Sequence, residues 1–540
     1  MRLRLTAALA VPALALLAAG CSAGAPGSPG ASAGAAGGAG TSSAGAGTGA
    51  ATIPQLTIGD DGGVTSALDV GQDVGDAVYG ALETLTKFGP GGQTEPDLAT
   101  SWTHPSAVTY VYQLRHGVKF WNGDPLTSAD VVNALNYYRV PGSYTSTQLA
   151  SVKSVTASGP YTVTVTLKYP YAPWDTESAS AFPIFEKKFQ DEHKATMGQP
   201  GTLIMGTGPW EIDSFDSTTG LTLSANPHWW GGTVNVKHIT VKLFANETSE
   251  ALAFRAGEVD VSPDVLNPKA FASTSGASII STPAFAEGYF GMNVKQAPWN
   301  DIHVRRAVAY ALNRADIISA LGNKAVPVST LIPPDELARL GSPAQVSALT
   351  GALPSYPFSL EAAKRELAQS AYPHGFSGTL ETIAFGSYTP VDEAISADLA
   401  KIGINLKLKV ISFNQYIAKA VGPKSAIADW YTTFNVTNPD PDSFPSQILG
   451  SKNIPDGGYN TANYDPPGVD ALLQAGVAAQ DPAQRLSIYG QLLKQIGTDL
   501  PYVSLYDEDY NVALSSKFTW PGYNVYTQDG AWPLNIKLKN

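Results

Sequence analysis

The chain has 540 residues, 44% of them hydrophobic and 15% charged, and its 34 Lys and Arg against 46 Asp and Glu give a formal charge of −12. That length allows several domains with real cores, and the acidic balance argues against nucleic acid as a partner, because neutralising phosphates needs clustered Lys and Arg. The one cysteine, Cys21, excludes an internal disulfide and any zinc site built on cysteine pairs.

Residues 1–21 read MRLRLTAALAVPALALLAAGC. Arg2 and Arg4 make a basic start, Leu5 to Leu17 an apolar run, and Ala18, Ala19 and Gly20 a small-residue exit. This is the pattern of a secretory signal over residues 1–20, too short and wrongly flanked for a membrane-crossing helix. A signal that stops at cysteine resembles the bacterial lipoprotein signal, in which Cys21 would be the lipid attachment point; Ala18 stands where such signals usually have leucine. The plainer alternative is an ordinary signal followed by a stray cysteine. After Cys21, the segment up to residue 52 holds only Ala, Gly, Ser, Thr and Pro. It has nothing to bury, so it reads as a flexible tether, with a reach of roughly 30 Å for about 30 residues. The expected location is the extracellular face of a bacterial cell membrane, held by lipid.

From Ile53 onward, strands and helices mix. TIPQLTIGD is a strand pattern, and SAVTYVYQLRHGVKF alternates through Val108, Tyr110, Tyr112 and Leu114. TSADVVNALNYYR opens on a capping Thr127 or Ser128 and carries Val131, Val132, Leu135 and Tyr138 at helical spacing. VKSVTASGPYTVTVTLKYP reads strand, turn, strand; GLTLSANPHWWGG and VKHITVKLFA continue in that style. SEALAFRAGEVDV predicts a helix stopped at Gly257 and then a strand. DIHVRRAVAYALNRADIISAL predicts the strongest helix, with Val304, Ala307, Val308, Ala311 and Leu312 on one face. VDEAISADLAKIGINLKLKVI predicts helix, turn at Gly403, strand, and DPAQRLSIYGQLLKQIGTDLPYVSLY repeats the pattern. The whole implies α/β sheets assembled from distant parts of the chain.

The motifs of common chemistry are missing. There is no phosphate loop, dinucleotide fingerprint, nucleophile elbow or paired-histidine zinc motif. The seven histidines, His104, His116, His193, His228, His238, His303 and His374, are far apart in sequence. The acidic DEDY at 507–510 reads as a solvated turn, with a cation site as the alternative. Asp440 and Asp442 in NPDPD read as caps of a rigid turn in preference to a metal pair. The expectation is a binding protein with no catalytic residue, no cofactor and no metal. Its aromatic content, 10%, suits a cleft that offers apolar area with polar handles.

LRHGVKFWNGDPLTSADVVNAL (114–135) resembles the signature segment of the extracellular solute-binding proteins, family 5, the peptide- and nickel-type receptors of ABC importers. EPDLATSW (95–102), GTGPW (206–210), NPHWWGG (226–232), AFRAGEVDV (253–261), APWNDIHVRRAVAYALNRADII (297–318), GINLKLKV (403–410), NPDPDSF (438–444) and DLPYVSLY (499–506) match further segments in the family's order. The resemblance covers nearly all of residues 53–540. It implies an α/β, two-lobed periplasmic-binding-protein-like fold of the large three-domain type with a discontinuous first lobe. Lobe I would comprise 53–80, 206–288 and 506–540; a small inserted domain would span 81–205; lobe II would span 289–505. The implied function is capture of a peptide or peptide-like solute between closing lobes and delivery to an ABC permease, whose ATPase subunits do the energetic work. The chain would act as a monomer anchored to the membrane. A non-peptide solute (a metallophore, a nickel complex or another small molecule) or ligand sensing without transport are the alternatives.

Two charges that the resemblance leads one to expect are absent. In dipeptide and oligopeptide receptors of this family, an aspartate three residues before the Asp-Pro turn pairs with the ligand ammonium; here that place is Thr437. The arginine that holds the ligand carboxylate, two residues before a tyrosine–x–proline segment, is here Gly386, ahead of Tyr388-Thr389-Pro390. A zwitterion buried without opposite charges loses to desolvation, so a free dipeptide is a poor candidate. What carries over is Trp430 and Tyr388. Phe434, Asn435, Thr437 and Asp440 would line lobe II, and Gly62, Gly63 and Thr65 would line lobe I, where small residues admit close backbone approach. Tyr289 and Asn293 are placed at the lobe junction. Trp430 and Tyr388 also read as core aromatics, Asn435 and Thr437 as turn residues, and Asp440 as a turn cap. Restoring both charges with Thr437→Asp and Gly386→Arg is expected to raise dipeptide affinity in calorimetry; no gain would show that these positions do not face the ligand termini.

Overall fold

A computed structural model of the chain describes residues 51–539 except 62–66, 69, 71–78, 140–148, 177–181, 273–275, 323, 385–387, 413–414, 417, 420–429, 437–439, 455–457 and 529, and gives backbone alone for 430–436 and 528. The leader, Cys21, the tether, Gly62, Gly63, Thr65, Gly386 and Thr437 therefore lie outside the described residues. Among the described residues, no helix is long and apolar enough to cross a membrane.

The first predicted strand is present as Ile53–Asp60, with Ile53, Leu56 and Ile58 fully buried. It pairs in parallel with Val236–Leu243. Both belong to a nine-stranded sheet whose order runs Trp430–Val436, Ser278–Met292, Tyr502–Leu514, Val261–Ser262, Ile53–Asp60, Val236–Leu243, Gly220–Ala225, Trp210–Asp216, with Ala325–Pro327 added beside Tyr502–Leu514. Strands from opposite ends of the chain are thus neighbours, as the scattered strand patterns imply. A separate four-stranded antiparallel sheet runs Ala99–Ser106, Thr109–Leu114, Thr162–Leu167, Val152–Gly159. Helix Ser128–Tyr137 packs on it, and its start is fixed by Asp130, which accepts hydrogen bonds from the Thr127 amide and hydroxyl at 2.9 and 2.8 Å. A third unit joins parallel strands Phe376–Ile383 and Ile404–Ile411 through helix Tyr388–Ala400, turning at Gly403 with φ +89°.

Three main cores result. The first gathers Ile58, Tyr112, Trp174, Trp210, Val512 and Trp532. The second holds Phe290, Trp299, Val308, Ile395 and Val503. The third holds Phe444, Leu473, Tyr489 and Tyr502. The long antiparallel pair Ser278–Met292 and Tyr502–Leu514 serves all three: Ile280, Val512 and Leu514 pack on the first, while Phe290, Val503 and Tyr502 pack on the others. The pairing register shifts between Pro283 and Ala286, where the chain passes from one side to the other, and Phe285 there adopts φ +54°. This is a bulge, which bends a strand and increases its twist.

Two sequence expectations change. The single helix expected over 301–321 is two, Ile302–Ala311 and Arg314–Leu321. Leu312 is extended, and the Asn313 side chain caps the second helix by accepting from the Ala315 amide, while Asp398 accepts from the Asn313 amide at 2.7 Å. A capping residue inside an apolar repeat divides it. DEDY (507–510) is no turn: it lies inside strand Tyr502–Leu514, with Asp507 2% and Glu508 6% exposed.

The family-like segments meet at one joint. Glu83, buried, accepts hydrogen bonds from Thr207 Oγ1 (2.8 Å), Trp229 Nε1 (2.9 Å) and Trp230 Nε1 (3.0 Å). The Arg115 guanidinium lies 4.0 Å from the Trp230 ring centre. Gly208 admits no side chain, because a Cβ there would stand 1.9 Å from the Gly80 carbonyl oxygen. The joint ties the four-stranded sheet to the first core. Glu83→Ala strands three buried donors and is expected to cost at least about 2 kcal/mol in urea unfolding; an unchanged midpoint would contradict this role.

Candidate functional site

The crossing strands carry acid where they change sides. Glu287 sits in register between Asp507 on one neighbouring strand and Asn435 on the other, and Asp507 faces Val326 beyond. Directly opposed residues of a sheet share a face, so Glu287 and Asp507 look the same way. Helix Pro334–Leu337 lies against that face and brings Glu336. Glu287, Glu336 and Asp507 are each 2% exposed. Burial and mutual repulsion push the carboxyls of Glu287 and Glu336 well above the usual range, and burial pushes Asp507 up to about 6, although its Oδ1 accepts from the Ala286 amide at 2.9 Å.

The two sides also touch away from the strands. Arg339 Nη1 donates to the Gly92 carbonyl at 2.9 Å and to the Tyr526 hydroxyl at 3.5 Å. The Ala172 amide donates to the Val477 carbonyl at 2.7 Å. Glu287 and Glu336 are thus neighbours contributed by strand Ser278–Met292 and helix Pro334–Leu337.

The residues nominated from sequence are distributed as follows. Tyr388 begins helix Tyr388–Ala400, half-buried, its ring edge-on to Tyr416 at 5.8 Å. Trp430, Phe434 and Asn435 fall on the edge strand beside Ser278–Met292. Tyr289 belongs to the interior of the second half: it is buried against Phe444 and Tyr502, with ring centres 5.4 and 5.1 Å away. Asn293 is a turn residue at the far end of its strand, where its side chain accepts from the Lys295 amide at 3.1 Å. Asp440 is engaged inside the protein, bound in two-pronged fashion by Arg485 at 2.7 and 3.1 Å, and it caps the turn by accepting from the Asp442 amide at 2.9 Å. Tyr289 and Asn293, placed at the lobe junction from sequence, and Asp440, read there both as a ligand contact and as a turn cap, are all held by these internal contacts. Glu287, Glu336 and Arg339 were not nominated. A charged residue inside the apolar run AFAEGYFGMNV was the one available signal for Glu287; nothing local marks Glu336.

Residues 93–456 match the family described as bacterial extracellular solute-binding proteins, family 5. The chain belongs to that family. It is 25% identical over 438 residues to the glutathione-binding protein GsiB of Escherichia coli K12, covering 78% of this chain and 82% of that protein. Its fold resembles that of the periplasmic binding protein DppA of Helicobacter pylori in complex with peptide STSA, with TM-score 0.72 and 22% identity, over 91% of this chain and 99% of that one. It also resembles NikZ of Campylobacter jejuni in complex with Ni(L-His), with TM-score 0.73 and 17% identity, over 89% and 99% of the two chains. The fold is accordingly the two-lobed one of family 5.

The Asp440–Arg485 pair also shapes its neighbour. Burial, with Asp440 alongside, pushes the Asp442 carboxyl up to about 7, while Ser446 Oγ donates to it at 2.8 Å and pulls it back. In the unfolded chain an aspartate titrates near 4. The folded form therefore holds the extra proton, and this contribution to stability is complete below pH about 4 and lost as pH rises through about 7. Melting temperature is expected to fall between pH 5 and 7.5, with Asp442→Asn reducing that fall; an identical slope in the variant would contradict the assignment.

Proposed function

We propose that this chain is the lipid-anchored, extracytoplasmic receptor of an ABC importer, which captures a peptide or peptide-like solute between its lobes and presents it to a permease. The observation that supports this reading is a family 5 body whose halves are joined by a bulged strand pair and meet again across a cleft. Closure is then a population shift: ligand that contacts both lobes stabilises the closed form by its differential affinity. The chain performs no bond-making step of its own; ATP is used by partner subunits. Cys21 and the segment to residue 52 serve as anchor and tether, so the body works as a monomer within reach of the membrane. We place lobe I at 53–80, 206–288 and 506–540, the inserted domain at 81–205 and lobe II at 289–505. Trp430, Phe434, Asn435, Thr437, Tyr388, Gly62, Gly63 and Thr65 are the proposed ligand contacts.

A second reading, a non-peptide solute, is favoured by one observation: the terminal-binding charges are replaced by Thr437 and Gly386. Native mass spectrometry of the gently purified chain, followed by denaturation and identification of what is released, decides between them. A ladder of peptide masses supports the peptide reading, and one discrete non-peptide mass supports the second. Chemical conversion of an added solute by the protein would contradict both.

A further inference from the structure

The sequence lacks the acidic group expected to meet a cationic end of the ligand, yet the structure supplies acid elsewhere on the cleft. Glu287 Oε1 and Oε2 and Glu336 Oε2 are buried with no hydrogen-bond partner. Ser504 is the polar side chain beside Glu287 and pulls its carboxyl back toward the ordinary range, while burial and the neighbouring carboxyls push it up. Asp507 adds a third carboxyl to the same face. Arg339 is the cation in range of Glu336, and its Nη1 is directed to Gly92 and Tyr526.

Buried carboxyls are ordinarily matched with donors, since desolvation disfavours an unmatched one. Glu250 is another buried carboxyl, beside Asp60, Asp61 and the Ser262 side chain. Among the described residues, no group of three acidic, histidine or cysteine side chains is arranged to hold a metal ion. Several closely set carboxylate oxygens suit a donor with more than one N–H.

We infer that Glu287, with Glu336 and Asp507, is a recognition subsite for a positively charged group of the solute, an ammonium or guanidinium. The bare oxygens accept its N–H donors as the lobes close, and the ligand's charge offsets the repulsion among the three carboxyls. This deepens the receptor reading and rests on it: the substrate class becomes a cationic peptide or a cationic peptide-like solute.

The test is titration calorimetry of the full chain, stripped of solute. The probes are Ala-Arg-Ala against Ala-citrulline-Ala, Ala-Lys-Ala against Ala-norleucine-Ala, and agmatine alone, together with the solute released from the native protein. The inference expects at least one cationic probe to bind ten-fold or more tighter than its neutral counterpart. In Glu287→Gln, and to a lesser degree in Glu336→Gln, that preference should shrink to two-fold or less, while melting temperature stays level or rises. Equal affinity for neutral counterparts, a preference that survives in both variants, or a released solute with no cationic group would overturn the inference and leave the receptor reading standing. If no solute is released and none of the probes binds, both fall.

Discussion

Two antiparallel strands, Ser278–Met292 and Tyr502–Leu514, run through the cores on both sides of the cleft. A strand pair of that length is a stiff ladder, softened where its register shifts, between Pro283 and Ala286 and again between Gly288 and Tyr289. The bulge between Pro283 and Ala286, with Phe285 at φ +54°, lies at the crossing. Backbone held in a sparse conformation persists where surrounding structure enforces it, and such places gather at clamps and hinges. The cleft acids are next to this bulge because the same residues that connect the lobes also floor the space between them.

The joint around Glu83 accounts for the short segments that carry the family likeness. Arg115 from LRHGVKF, Thr207 and Gly208 from GTGPW, and the tryptophans of NPHWWGG converge on one buried carboxyl and one stacked guanidinium. Each is constrained by chemistry as well as by shape: a donor aimed at Glu83, a planar cation over an indole, a glycine where backbone passes at contact distance. Segments fixed in this way are recognisable at low overall identity, since surface and loop residues are free to change around them.

Much of the fold was legible. Alternation exposed the strands at 53–60, 109–114 and 162–167, and capping residues together with 3.6-residue spacing exposed the helices starting at Ser128 and Pro482. What misled was context. DEDY looks solvated by composition, but its position beyond DLPYVSLY continues a strand into the interior, and only pairing with Ser278–Met292 reveals that. Asn313 cuts one apolar repeat into two helices because its side chain has a local amide to satisfy. The site was less legible. Asp440 reads correctly as a turn cap, yet its engagement by Arg485, far along the chain, is a tertiary fact. Tyr289 looks like a cleft aromatic until the alternation of its strand is set against the helices behind it. Glu287 and Glu336 meet only in three dimensions.

The electrostatic pattern fits this architecture. An acidic protein with buried carboxyls at Glu287, Glu336 and Asp507 attracts cations and repels free carboxylates. In the proposed receptor, a ligand that touches both lobes favours their closure. Small-angle scattering of the full chain, stripped and then refilled with the solute released from the native protein, tests this most directly. The account predicts a smaller radius of gyration on refilling, as lobes joined through the bulged strand pair close on their ligand; superimposable curves for the two states would contradict it.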